Sequence, residues 1–150
     1  MNVIIEGPDG AGKTTFAKSI VGKAYRHEGP PPKYLDLIGY YRRLVDSSKN
    51  TIFDRHALSE LVYGPLLRGS SRISLEEIEV YYRFEMENTR LVICLPPPDI
   101  CHANWAAKAE RNQELITDAS IWWKTYAAYA FYAHRLNFGV YDYTQGDKSL

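Results

Sequence analysis

Residues 7 to 14 read GPDGAGKT, a G-x-x-x-x-G-K-T string, and the five residues ahead of it, NVIIE, read as a short buried strand. Glycines at both ends let the backbone curl until successive N–H groups converge on phosphate oxygens. Lys13 adds a point charge at the β/γ-phosphates, and the Thr14 hydroxyl is placed to hold Mg²⁺. With a helix expected directly after it, this is a phosphate-binding loop rather than a bare glycine turn. Gly7, Pro8, Asp9, Gly10, Ala11 and Gly12 form the curl, and Lys13, Thr14 and Thr15 open the helix whose N-terminus faces the phosphates.

A loop of this kind needs a sheet behind it, and the chain supplies one. Strands are expected at residues 2–6, Ala24 to His27, Thr51 to Phe53, Arg90 to Leu95 and Phe138 to Tyr141. Between them the apolar residues take helical spacing over Gly12 to about Gly22, Tyr34 to Val45, Leu58 to Leu67, Ser74 to Asn88, Asp99 to Leu115 and Asp118 to Leu136. Ser74 and Glu77 have capping-box spacing, and the proline triplets at 30–32 and 96–98 end the second and fourth strands. Strands of near-continuous apolar character alternating with helices specify an α/β three-layer sandwich: a parallel five-stranded sheet of the P-loop NTPase kind with helices on both faces. At 150 residues the whole chain, 1–150, is expected to be one domain.

Composition narrows the partners. Eighteen basic residues balance eighteen acidic ones, so no net field gathers a nucleic-acid polymer or an anionic membrane. No apolar run approaches the ~20 residues needed to span a bilayer. Cys94 and Cys101 lack ligand-type spacing and Met1 leads straight into a strand, so reduced thiols and a cytoplasmic location are expected.

In a parallel sheet the ligand gathers at the carboxyl ends of the strands, where the loop, Glu28, Asp54-Arg55 and the segment after Leu95 all fall. Asp54, closing the third strand, is the carboxylate placed to hold Mg²⁺ directly or through water, with a strand-end cap as its other reading. Arg55 is the partner for a phosphate arriving from the opposite side. Asp9 inside the loop should repel a triphosphate, which suits an acceptor for the sugar hydroxyl of a second substrate, or a turn residue bonding its own backbone. The aromatic and apolar stripe of the last helix, Ile121, Trp122, Thr125, Tyr126, Tyr129, Tyr132 and Leu136, reads as core packing or as a dimerisation face.

The run IEGPDGAGKTT resembles the opening of the thymidylate kinases, and DRHALSELVYG resembles their DRY-x-x-S-x-x-x-Y segment. RHEGPP is similar to their REPGG stretch, and the compact phage-type members look most alike. The resemblance implies transfer of the ATP γ-phosphoryl group to a deoxynucleoside monophosphate such as dTMP, with Mg²⁺ and a homodimeric enzyme. By position it puts Asp9 at the sugar 3′-hydroxyl, Arg55 and either Arg42 or Arg43 at the acceptor phosphate, and Ser59 with Tyr63 on the base and sugar side. His56 stands where the family has Tyr. With Gly at position 10, it implies a lid, about residues 99–117, supplying the transition-state cation from Arg111 or Lys108.

Two other functions fit the loop. A deoxynucleoside kinase would use Glu28, just after the second strand, as the base for a neutral 5′-hydroxyl. A nucleotide-dependent switch would need D-x-x-G after the third strand, whereas Asp54 is followed by Arg55, His56 and Ala57.

Overall fold

The computed structural model describes residues 1–27, 33, 36–111 and 116–145. Five strands, β1 (Asn2–Glu6), β2 (Ala24–His27), β3 (Thr51–Asp54), β4 (Thr89–Cys94) and β5 (Gly139–Tyr141), form one sheet in the order β2-β3-β1-β4-β5. Every pairing is parallel, as the alternation of strands and helices requires. Among the described residues six helices accompany them: α1 (Lys13–Ser19), α2 (Leu37–Asp46), α3 (Ala57–Arg68), α4 (Leu75–Phe84), α5 (Pro98–Glu110) and α6 (Ala119–Arg135).

The side-chain alternation of the strands builds two cores. Ile4, Phe53 and Ile93 point to one face, beneath α2, α3, α4 and the C-terminal half of α6. Val3, Ile5, Ile52, Val92 and Cys94 point to the other, beneath α1, α5 and the N-terminal half of α6. Helix α6 joins both layers: Trp122 is fully buried in one core and Tyr129 in the other.

Several boundaries differ from the expected ones. Helix α1 stops at Ser19 because Ile20 is extended, three residues before the expected end at Gly22. Helix α2 begins at Leu37, where the Asp36 carboxylate accepts from the Gly39 N–H; Tyr34 and Leu35 lie outside the described residues. The Ser74 capping box forms, but α4 ends at Phe84 rather than near Asn88. The edge strands are also less apolar than a doubly covered sheet implies: all four residues of β2 are exposed, whereas β1 and β3 are buried throughout. A short 3₁₀ turn over Tyr143–Gln145 follows β5. Among the described residues no helix is long and apolar enough to cross a membrane, and both cysteines are free and buried.

Candidate active site

The loop leaves β1 with Gly7 at φ 146° and Gly10 at φ 87°, conformations that L side chains rarely adopt. Gly10 also has no room. A Cβ there would stand 2.5 Å from the Cys101 carbonyl oxygen and 2.8 Å from the Trp105 nitrogen, both in α5. Three carbonyls of the loop accept side-chain hydrogen bonds. Trp122 Nε1 donates to Asp9 O at 2.9 Å, Asn104 Nδ2 to Gly10 O at 3.2 Å, and Lys13 Nζ to Pro8 O at 3.3 Å. Asn104 also donates to the Tyr143 hydroxyl at 3.0 Å, tying the turn after β5 to the same place. The segment expected as a lid is therefore, over α5, a helix packed against the loop through buried Cys101 and Trp105. Residues 112–115 lie outside the described residues.

In front of the loop is a cavity of about 520 Å³. Residues Asp9 to Thr15 form one wall, and Tyr25, His27, Asp54, Arg55, Ser59, Glu60, Tyr63, Arg68 and Lys108 contribute to the rest. Desolvation lowers the Lys13 ammonium below its ordinary value, and the charge of Arg55 adds to this. Asp54 is buried at the end of β3; its Oδ2 accepts from the Tyr25 hydroxyl and lies 3.6 Å from His27 Nδ1. Its other oxygen, Oδ1, is buried with no hydrogen-bond partner. A buried carboxylate oxygen without a partner, on a residue that lines the same cavity as Thr14, fits a Mg²⁺ ion that takes one carboxylate and completes its shell with water and phosphate. Among the described residues no group of three or more His, Cys, Asp or Glu gathers to hold a metal.

Arg55 adopts φ 74°, a left-handed backbone. From that turn its guanidinium donates to Asp9 Oδ1 at 2.7 Å, Gly7 O at 3.2 Å and the Tyr129 hydroxyl at 3.1 Å, and it lies 5.0 Å from the Tyr63 ring centroid. Burial opposes its charge, but Tyr63, Tyr129, Asp9 and Glu6 around it hold the guanidinium protonated well above its usual range. Asp9 and Arg55, assigned to sugar and phosphate separately by the sequence, are thus an ion pair with each other.

Behind Arg55 sits Glu6, fully buried. Its carboxylate accepts from the His56 and Ser59 backbone N–H groups at 3.1 and 3.0 Å, the Ser59 hydroxyl at 2.6 Å and the Tyr129 hydroxyl at 3.2 Å. Burial raises its pKa to about 7, against the pull of Ser59 and of the Arg55 charge. His56 is enclosed by Tyr41, Phe53 and Tyr81, with Nε2 2.9 Å from the Tyr81 hydroxyl, and desolvation lowers its imidazole to about 3.

The structure gathers many of the expected site residues and separates others. Asp9, Gly10, Ala11, Gly12, Lys13, Thr14, Thr15, Asp54, Arg55, Ser59, Tyr63 and Lys108 line the cavity. Gly7 and Pro8 do not, but their carbonyls hold Arg55 and Lys13. The Ser59 hydroxyl is spent inward on Glu6. Arg42 is not on this cavity: it pairs with Glu85 at 2.9 Å in a separate hollow with Tyr81 and Met86. Arg43 is exposed on α2 away from the cavity lining, because the helix turns that face to solvent. Arg111 lies past the last turn of α5, exposed, and does not line the cavity either. Glu28 lies outside the described residues. Sequence reasoning missed Glu6, Tyr25, Glu60 and Tyr129. For Glu6 the signal is a carboxylate ending an apolar strand; Tyr129 carries no signal separable from helix packing.

These features define an α/β chain with a five-stranded parallel sheet and a phosphate-binding loop between its first strand and first helix. Among solved structures it is similar to the YorR protein of Bacillus subtilis in complex with phosphorylated GDP, at TM-score 0.76 and 17% identity over 99% of this chain and 88% of that one. It is also similar to deoxyadenosine kinase from M. mycoides, with bound dATP at TM-score 0.59 (17% identity, 99% of this chain, 93% of that chain). The same enzyme with products dCMP and a flexible dCDP bound gives TM-score 0.58 (16% identity, 95% and 89%). At these identities the likeness is one of fold. No protein-family model and no curated protein matches the sequence.

Proposed function

We propose that the protein is an ATP-dependent kinase that phosphorylates a deoxynucleoside monophosphate, dTMP or a related deoxynucleotide. The observation that carries this reading is that the phosphate loop, with Lys13 and Thr14, shares a cavity with Asp54 and Arg55. A monophosphate arrives already ionised, so its phosphorylation needs alignment and charge neutralisation but no general base. Lys13 meets the donor phosphates, and Arg55, held at the junction of the two walls, meets the acceptor phosphate. Lys108 is the cation of α5 that reaches the cavity and takes the part assigned to it or Arg111. Tyr63 gives the acceptor an apolar flank beside Arg55. Thr14 and Asp54 would hold Mg²⁺, whose chemistry here is to neutralise charge on the donor phosphates. The thymidylate kinase resemblance supports the same assignment and adds a homodimer, to be read from the mass in sedimentation.

A second reading, a deoxynucleoside kinase, is favoured by the fold likeness to deoxyadenosine kinase and by the Asp9–Arg55 pair, which already occupies much of the Arg55 charge. Glu28→Gln separates the two. Loss of a catalytic base removes about 10²–10⁴-fold of rate from 5′-hydroxyl phosphorylation, whereas monophosphate phosphorylation should survive the change. Retention of deoxynucleoside turnover in that variant rules out Glu28 as base; loss of deoxynucleoside turnover, with no monophosphate turnover in either protein, overturns the proposed function.

A further inference from the structure

A carboxylate at the end of a fully buried strand is costly unless every oxygen is used. An aliphatic residue would satisfy the last position of β1 without that cost. The partners of Glu6 show what the carboxylate does there. Helix α3 begins at Ala57, and its capping residue, His56, makes no side-chain cap bond. Instead Glu6 Oε2, from a different strand, accepts the backbone N–H groups of both His56 and Ser59. It thereby clamps the residue immediately after Arg55, whose left-handed turn would otherwise relax. Glu6 Oε1 accepts from the Tyr129 hydroxyl, and that hydroxyl in turn accepts from Arg55. The carboxylate thus grips Arg55 twice, through the backbone that follows it and through the hydroxyl that receives its guanidinium.

We propose that Glu6 is a positioning residue for acceptor binding: through His56 N–H, Ser59 and Tyr129 it holds the Arg55 turn so that the guanidinium lies against Asp9 at the cavity wall. The kinetic consequence rests on the kinase reading given above. The geometric consequence does not.

Two variants test it. Glu6→Gln keeps the size and one acceptor for the backbone N–H groups, but presents an NH₂ to Ser59 and Tyr129. Tyr129→Phe keeps the buried ring and cuts the link between Glu6 and Arg55. Each should raise the acceptor KM about tenfold or more, the scale of a hydrogen bond to a charged group, while the ATP KM changes less than about twofold, because the loop carbonyls of Asp9 and Gly10 are held separately by Trp122 of α6 and Asn104 of α5. The second readout needs no turnover: in ¹⁵N spectra the Arg55 guanidinium N–H signals should be resolved and slow to exchange in the native protein, and averaged in both variants. If the native protein phosphorylates no acceptor, the kinase reading falls while the Arg55 spectra still decide the role of Glu6. Unchanged Arg55 signals in both variants overturn the proposal. So does a parallel rise of both KM values with a lowered melting temperature, which marks a merely structural residue.

Discussion

Arg55 holds φ 74°, which costs a residue with a side chain about 1–2 kcal/mol, and Asp54 beside it leaves a buried oxygen without a partner. Such local expense is retained where binding recovers it. Asp54→Asn keeps the shape and removes the charge. Turnover with Mg²⁺ should fall about 100-fold or more, while the melting temperature stays level or rises; a variant that is active but unstable would return Asp54 to the role of a strand cap. His56 and Glu6 make a second residue-scale expectation. The folded chain refuses a proton on His56 down to about pH 3, so stability from this group is lost as pH falls from 6.5. It retains a proton on Glu6 up to about pH 7, so stability from that group grows as pH falls from 7 to 4.5. Across pH 4.5–6.5 the two slopes oppose each other. Glu6→Gln leaves only the first. Its unfolding free energy in urea should therefore drop, relative to the native protein, by about 1.4 kcal/mol per pH unit of acidification in that window. Parallel curves would contradict these two shifts.

At the scale of elements, the loop works as it does because α5 and α6 press on its outer side. The sequence shows these helices to within a few residues at their starts, since capping and apolar spacing are local. It does not show what they touch. Gly10 reads in sequence as a missing loop cation that shifts charge to a lid, whereas in the structure it is the place where the α5 backbone passes too close for a Cβ. Gly10→Ala should cost about 1–3 kcal/mol of stability through clash and backbone strain and weaken ATP binding with it, as measured by melting with and without nucleotide. A variant of native stability and affinity would mean that α5 is free to move. Asn104, which carries no chemistry by composition, has its role in the same contact: one amide joins Gly10 O to the turn after β5. Arg111 and Lys108 show the limit from the other side. Both are cations near one helix end, but only the one inside the helix is directed to the cavity.

For the whole molecule, strand-helix alternation was enough to read a parallel sheet with helices on both faces, because a parallel connection requires a crossover and each crossover buries a face. The order β2-β3-β1-β4-β5 then brings the ends of β1 and β3 together, and the loop meets Asp54-Arg55 there. That much of the site was legible, since strand ends follow from apolar runs and the loop from its glycines. Pairings across the fold were not. Arg42 and Glu85, Asp9 and Arg55, and Glu6 and Tyr129 are 43, 46 and 123 residues apart, and no local pattern encodes such contacts. The central claim is that one cavity joins a triphosphate to a monophosphate acceptor. It is tested by coupled ADP release from purified protein with ATP and Mg²⁺ over a panel of deoxynucleoside monophosphates and the matching deoxynucleosides. Turnover with at least one monophosphate, well above that with its deoxynucleoside, is the expected result; phosphorylation of deoxynucleosides alone would contradict it.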